Sequence, residues 1–216
     1  MTTKTKYPRT KHIPQSPGKT SDDKVLKDLN DFIGKEVVIT EKMDGENTSI
    51  YTDGTSHARS IDSKGHPSRH WLKGSVAPLV HQTLGHVHPN LRICGENLFA
   101  KHSIKYTNLL SYFYVFSVWD GNKCLAWKQT VGLAKLLELP TPAVFFEGIL
   151  TQETLNAIIE FANENSERIE GFVIRNKESF DIAEFDSHVA KYVRAGHVQT
   201  DEHWMHQPIE KNDLNE

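Results

Sequence analysis

The sequence has two cysteines, Cys94 and Cys124, and no spaced metal-binding set built around them. Free, buried thiols in a reducing cytosol are the expected state, which excludes a disulfide scaffold. No apolar run approaches the length of a membrane helix, and no charged-then-apolar leader opens the chain. A membrane partner is excluded on these grounds, and a cytoplasmic location is expected. Nor is there a surplus of positive charge: 25 Lys and Arg against 28 Asp and Glu leave a net charge of −3. That argues against tight nonspecific nucleic-acid binding while leaving room for a local basic groove. His81, His86 and His88 lack a fourth ligand at a recognised spacing, and His203 and His206 form a bare pair. Loop histidines explain them better than zinc. What remains is 216 residues, 38% hydrophobic and 25% charged, the profile of one soluble domain with short extensions.

Against this plain background one stretch stands out, Glu41-Lys42-Met43-Asp44-Gly45-Glu46-Asn47. The runs Val37–Thr40 before it and Thr48–Tyr51 after it both read as strands. A lysine at a strand end, with a carboxylate two residues on, can be a covalent nucleophile if desolvation or nearby positive charge removes its proton. The glycine permits a turn or a close approach. On spacing alone, a strand, an Asp-Gly turn and a surface lysine explain the stretch equally well.

The segments downstream change that balance. Tyr51–Thr55 reads as a hairpin turn, and the returning strand delivers His57 and Arg59. Leu91–Cys94 is a short strand running into Gly95-Glu96-Asn97. Ser111–Trp119 is an aromatic and β-branched strand, followed by an Asp120-Gly121-Asn122 turn. Ile169–Arg175 is a strand with Glu170 at its mouth, and Val189–Arg194 is the last strand. In this order, Lys42–Gly45, Arg59, Cys94–Asn97, Tyr114–Asp120, Glu170–Arg175 and Val189–Arg194 resemble the motifs of the covalent nucleotidyltransferases. That superfamily comprises ATP-dependent RNA and DNA ligases and mRNA capping enzymes. The likeness spans about residues 36 to 194 and points to the ATP-dependent RNA ligase-like family.

The resemblance implies an α+β fold, an ATP-grasp-like ligase adenylation domain with antiparallel sheets flanked by helices around a nucleotide groove. It implies an enzyme that uses ATP with Mg²⁺ or Mn²⁺, forms a lysyl-AMP on Lys42, passes AMP to a 5′-phosphate end and seals that end to a 3′-hydroxyl. Lys191 would neutralise the α-phosphate, and Asp44 would orient Lys42 or bind metal through water. Glu41, Asn47, Arg59, Glu96, Phe116 and Glu170 would contact the nucleotide, with Phe116 stacking on the base. Glu96 and Glu170 would hold the metal. Arg9, Lys11, Lys101, Lys105 and Arg194 are candidates for contacts with the polynucleotide. RNA is favoured as the partner, on Asn47 and on the likeness of Tyr7-Pro8-Arg9-Thr10 to the start of some stand-alone RNA ligase-like proteins. A small ATP-dependent DNA ligase, and a catalytically weak nucleotide- or RNA-binding module of the same fold, are the alternatives.

Two departures from the family pattern accompany this. The last strand usually offers two lysines one residue apart, yet Lys191 is flanked at that distance by Val189 and Val193. Either one cationic role is missing or a neighbouring segment supplies it. After Arg194 the sequence has 22 residues, too few for an OB-fold or other second domain. The expected organisation is an extended basic arm over 1–20, an adenylation domain over 21–200 and a polar tail over 201–216. The arm has five basic residues before Thr20 and no acid, and Pro8 and Pro14 keep it from forming a helix. It is either a solvated arm or one laid across the nucleotide or polynucleotide site. Ser21 is expected to cap a helix with Val25, Leu29 and Phe32 on one face, ended by Gly34. Gly74 and Pro78 should interrupt any long helix over Trp71–Leu84. Gln129–Leu139 and Thr151–Asn165 read as amphipathic scaffold helices.

Overall fold

The computed structural model describes residues 3–62, 65–196 and 209–215. Its strands are β1 (Lys11–His12), β2 (Glu36–Lys42), β3 (Glu46–Tyr51), β4 (Ser56–Ala58), β5 (Leu91–Asn97), β6 (Phe113–Asp120), β7 (Lys123–Cys124), β8 (Val144–Ile149), β9 (Gly171–Asn176), β10 (Phe180–Asp181) and β11 (Val189–Val193). The α-helices are α1 (Ala77–Leu84), α2 (Trp127–Leu136), α3 (Gln152–Glu164) and α4 (Phe185–His188). Two compact units share the chain. Described residues 8–43 and 142–196 form one; 3–7, 44–62, 65–141 and 209–215 form the other.

The unit containing Lys42 is built on a sheet in the order β1-β11-β9-β2-β8. Its pairings are antiparallel except for the β1–β11 edge, which is parallel. Because side chains alternate along a strand, Val37, Ile39, Phe172, Ile174, Ala190 and Tyr192 share one face. They bury there with Leu155, Ile158 and Ala162 of α3. Phe172 and Tyr192 stack with ring centroids 4.9 Å apart. The alternate positions, Thr40 and Lys42 of β2, Gly171 and Val173 of β9 and Lys191 of β11, belong to the opposite face. The α3 cap is the one its sequence announces: Thr151 Oγ1 accepts from the Thr154 N–H at 3.1 Å.

The N-terminal segment departs from expectation. Residues 8–20 are no solvated arm: Ile13 is fully buried, His12 and Ser16 are nearly so, and Lys11–His12 is a strand on the sheet edge. The helix expected after Ser21 is absent, and the segment is a series of turns. The His12 N–H donates to the Lys24 carbonyl and its carbonyl accepts from the Leu26 N–H, both at 2.8 Å. Those bonds draw residues 24–26 into extended pairing and override the local helix signals. Leu29 and Phe32 are buried as a helix face would have buried them, whereas Val25 is exposed.

In the other unit the strands run β4-β3-β5-β6-β7, all antiparallel. Ile50, Ile93, Phe113, Val115 and Val118 pack against Val80 and Leu84 of α1 and Ala134 of α2. Pro78 does not break the helix as expected. A π-helical turn over Leu72–Val76 leads directly into α1, with the Ala77 N–H bonded to the Leu72 carbonyl, so the wider turn absorbs the proline. Residues 209–215 are pinned to the 98–110 loop. Asn212 is 1% exposed and donates to the Leu98 carbonyl at 2.8 Å, while the Leu109 N–H donates to the Asp213 carbonyl and the Leu109 carbonyl accepts from the Asn215 N–H.

Candidate active site

Lys42 ends β2, and the register sets it opposite Gly171 of β9. A side chain on Gly171 would put its Cβ 2.0 Å from the Tyr192 carbonyl oxygen, and its φ is 156°. Only glycine lets β9 and β11 approach so closely there. Glu170, immediately before it, is 5% exposed and accepts from Lys42 Nζ at 2.5 Å. The Arg194 N–H holds the Glu170 carbonyl at 3.0 Å, so this carboxylate is fixed from both its strand and its backbone. A buried carboxylate needs a cation, and the lysine supplies it.

Lys191 lies in register with Val173, which pairs with Thr40 on its other side. It shares the sheet face of Lys42. Its ammonium is 4.0 Å from Asp23 Oδ1. Burial works to raise the Asp23 pKa, but hydrogen bonds from the Thr20 N–H and hydroxyl, with Lys191 and His12 nearby, hold it at about 2. Arg9 reaches the same carboxylate at 3.4 Å, and Lys11 pairs with Asp186 at 2.8 Å. Both residues expected on phosphates thus sit against carboxylates. The Arg194 side chain is buried beside its own strand end, with Nη1 on the Ala195 carbonyl at 3.2 Å.

Glu41, on the opposite sheet face from Lys42, has its pKa pushed up to about 7 by burial, from 4.5. A carboxyl with a raised folded pKa contributes stability below its unfolded pKa and loses it as pH rises through the folded one. Wild type should therefore lose stability between about pH 4.5 and 7 through this group, by roughly 3 kcal/mol at most. Glu41→Gln should flatten that part of the profile, read by urea unfolding at pH 5 and pH 8. An unchanged slope would show that Glu41 stays ionised throughout.

In the other unit, cross-strand pairing aligns Asn47 of β3, Glu96 of β5 and Tyr114 of β6. Asn47 Oδ1 is buried and has no hydrogen-bond partner among the described residues. Gly45 is tight, since a Cβ there would meet the Asn97 carbonyl at 2.6 Å. Phe116 sits at an irregularity in the β5–β6 register, where Cys94 pairs with Ser117 and Gly95 with Val115. That extra residue leaves Phe116 half-buried, between the buried Val115 and Ser117. Tyr7 packs edge-on against its ring at 5.4 Å. Arg59 lies exposed just beyond β4.

Asp44 anchors a loop of its own unit. Its Oδ2 accepts from the Ser103 N–H, the Ser103 hydroxyl and the Ile104 N–H, each at 2.7 Å. One oxygen with three donors organises the 103–106 loop, and the Asp44 N–H in turn donates to the Tyr106 hydroxyl at 2.9 Å. Lys101 and Lys105 follow a similar pattern: Lys101 pairs with Glu210 at 2.8 Å and Lys105 with Asp213 at 3.3 Å. The sequence reading missed Arg69, which is 5% exposed and grips Glu46 in two-pronged fashion, with Nε at 2.7 Å from Oε2. It also missed His12, Asp23 and Tyr7. A basic, proline-bounded arm gives no sign of a buried histidine, and Arg69 stands 23 residues from its partner.

His81 Nδ1 donates to the Thr52 carbonyl at 2.8 Å, and its ring lies 6.3 Å from that of His86. Among the described residues, no group of three or more His, Cys, Asp or Glu is gathered as a metal cage. His203 and His206 lie outside the described residues. Cys94 and Cys124 are buried free thiols, and no helix among the described residues is long and apolar enough to cross a membrane.

The fold is that of ATP-dependent ligase nucleotidyltransferase domains. An archaeal ATP-dependent RNA ligase matches with a TM-score of 0.59 and 18% identity, over 88% of this chain and 48% of its own. A lysine-to-alanine variant of Naegleria gruberi RNA ligase, solved with ATP and Mn, matches with a TM-score of 0.55 and 16% identity, over 77% and 52%. A protein assigned as an ATP-dependent DNA ligase from Aquifex aeolicus matches with a TM-score of 0.53 and 22% identity, over 77% and 46%. The chain thus spans about half the length of these structures. No curated protein sequence matches it. The family model for RNA ligase matches residues 35–193, and the chain belongs to the RNA ligase family.

Proposed function

We propose that this protein is an ATP-dependent RNA ligase that carries AMP on Lys42. The observation that bears most weight is the lysine at the end of β2, inside the family-matched segment, held at 2.5 Å by a buried glutamate. Glu170 is the group placed to take the proton that Lys42 must lose. The freed amine forms a P–N bond to the α-phosphorus of ATP. The bond to the bridging oxygen breaks, and pyrophosphate leaves with that electron pair. Lys191 offsets negative charge on the phosphate as it leaves. Phe116 supplies an apolar face for adenine, and the unsatisfied Asn47 Oδ1 suits a ribose hydroxyl. AMP then passes to a 5′-phosphate end, and a 3′-hydroxyl displaces it.

The donor chemistry of each carboxylate fits Mg²⁺ or Mn²⁺: Glu96 in one unit and Glu170 in the other each offer hard oxygens, and such ions keep several waters and need few carboxylates. The bound ion would supply charge neutralisation on the phosphates. We place the protein in the cytoplasm, acting on RNA ends in repair.

Intact-protein mass after incubation with ATP and Mg²⁺, with GTP and NAD⁺ alongside, tests this reading. The expected result is a gain of one AMP from ATP alone, removed by added pyrophosphate. A starting mass already carrying AMP is the same result in another form. An unmodified protein that stays unmodified overturns the reading and leaves a nucleotide- or RNA-binding module. A nicked-duplex panel with RNA or DNA on each side of the nick then tests the preference, and exclusive sealing of DNA would make it a DNA ligase.

A further inference from the structure

Lys191 is the single lysine of β11, and β1 brings other groups to its side. β1 pairs in parallel with β11, and His12 lies opposite Lys191 in the register. The His12 ring is 1% exposed. Ser16 fixes it: the hydroxyl donates to the Val193 carbonyl at 3.2 Å, accepts from the Val193 N–H at 2.9 Å and sits 2.8 Å from His12 Nδ1. With its one proton on Val193, the hydroxyl accepts from His12, so Nδ1 is the donor. Nε2 faces Asp23 Oδ2 at 3.5 Å, an ion pair whenever the ring carries its second proton. Asp23 Oδ1 in turn faces Lys191 Nζ at 4.0 Å and Arg9 Nη2 at 3.4 Å. The Thr20 N–H and hydroxyl hold Oδ2, both at 3.0 Å. A continuous chain of contacts therefore runs from the Val193 backbone through Ser16, His12 and Asp23 to the Lys191 ammonium.

We propose that His12 and Asp23, supplied by the N-terminal segment, are positioning residues for Lys191. Lys191 hangs from one strand, with a flexible stem that costs entropy to hold. Asp23 restrains it from one side, and His12 keeps Asp23 ionised and oriented. Neither residue meets the substrate: His12 is sealed from solvent and Asp23 is occupied by Thr20. This inference rests on the proposed transfer of AMP to Lys42.

The test is a double-mutant cycle on the rate of AMP-adduct formation, measured in single turnover at several ATP concentrations. The variants are Asp23→Asn, Lys191→Ala and the two combined. Asp23→Asn should slow transfer about ten- to a hundredfold at saturating ATP while changing the apparent ATP affinity little. Combined with Lys191→Ala, it should add nothing to the loss caused by that variant alone. A wild-type rate in Asp23→Asn, penalties that multiply, or a loss lying wholly in ATP affinity would each overturn the proposal. Should Asp23→Asn unfold in a thermal melt, His12→Gln takes its place. It keeps a neutral donor near Nε2, and its slower transfer must likewise vanish in the Lys191→Ala background; a full rate in His12→Gln overturns the proposal. The two readings separate cleanly. An adduct in wild type with no effect of these variants defeats the positioning role alone, whereas no adduct in wild type defeats both.

Discussion

Lys42→Ala and Lys42→Arg should both lose the AMP adduct completely, and only the alanine variant should lose stability as well. The adduct is a bond to one nitrogen, and without that nitrogen no amount of ATP restores it. Lys191 cannot take over, because β9 separates its strand from β2 and its ammonium is directed at Asp23. Arginine keeps the positive charge beside Glu170 but does not give up its proton near neutral pH, so it pairs without attacking. Alanine leaves Glu170, 5% exposed, without its lysine. That costs about 1–3 kcal/mol, the penalty for a buried group stripped of its partner. Intact mass and thermal unfolding on the same samples read both effects. An adduct on either variant would place the nucleophile elsewhere.

Arg69→Ala should be among the most destabilising single changes in the chain. Arg69 and Glu46 expose 6% and 11% of their side chains and meet through two hydrogen bonds. Removing one member of a buried pair strands the other charge, which costs about 3–5 kcal/mol. For a protein of this size that lowers the melting temperature by roughly 10 °C. Glu46 heads β3 between Gly45 and Asn47, so the same change disturbs the strand that presents Asn47. Replacing both partners, as Arg69→Met with Glu46→Leu, should recover much of the loss, because an apolar pair leaves no stranded charge. Urea midpoints decide it: an Arg69→Ala protein within 1 kcal/mol of wild type would show that water reaches Glu46 and screens it.

The signals that failed did so for a shared reason. Ser21, two aspartates and spaced apolar residues are sound local arguments for a helix. His12, twelve residues earlier, nevertheless bonds to the backbone at Lys24 and Leu26 and draws that stretch into pairing. Pro78 and Gly74 argue for an interrupted helix, but a π-helical turn accommodates both. Asp44 stands two residues from Lys42 in sequence, which suggested a shared task. Its Oδ2 also accepts from three donors at residues 103 and 104, which no local pattern announced.

The longer strands, their alternation and the cap of α3 were legible in the sequence, because these depend on neighbours within a few residues; β1 and β10 were not. The ordered motifs also identified the family and singled out Lys42. Only the tertiary structure decided the pairings: Glu170 with Lys42, Arg69 with Glu46, and His12 and Asp23 with Lys191. The partners of a buried charge are chosen by strand register and close packing across long stretches of chain, and no local pattern of residues carries that information.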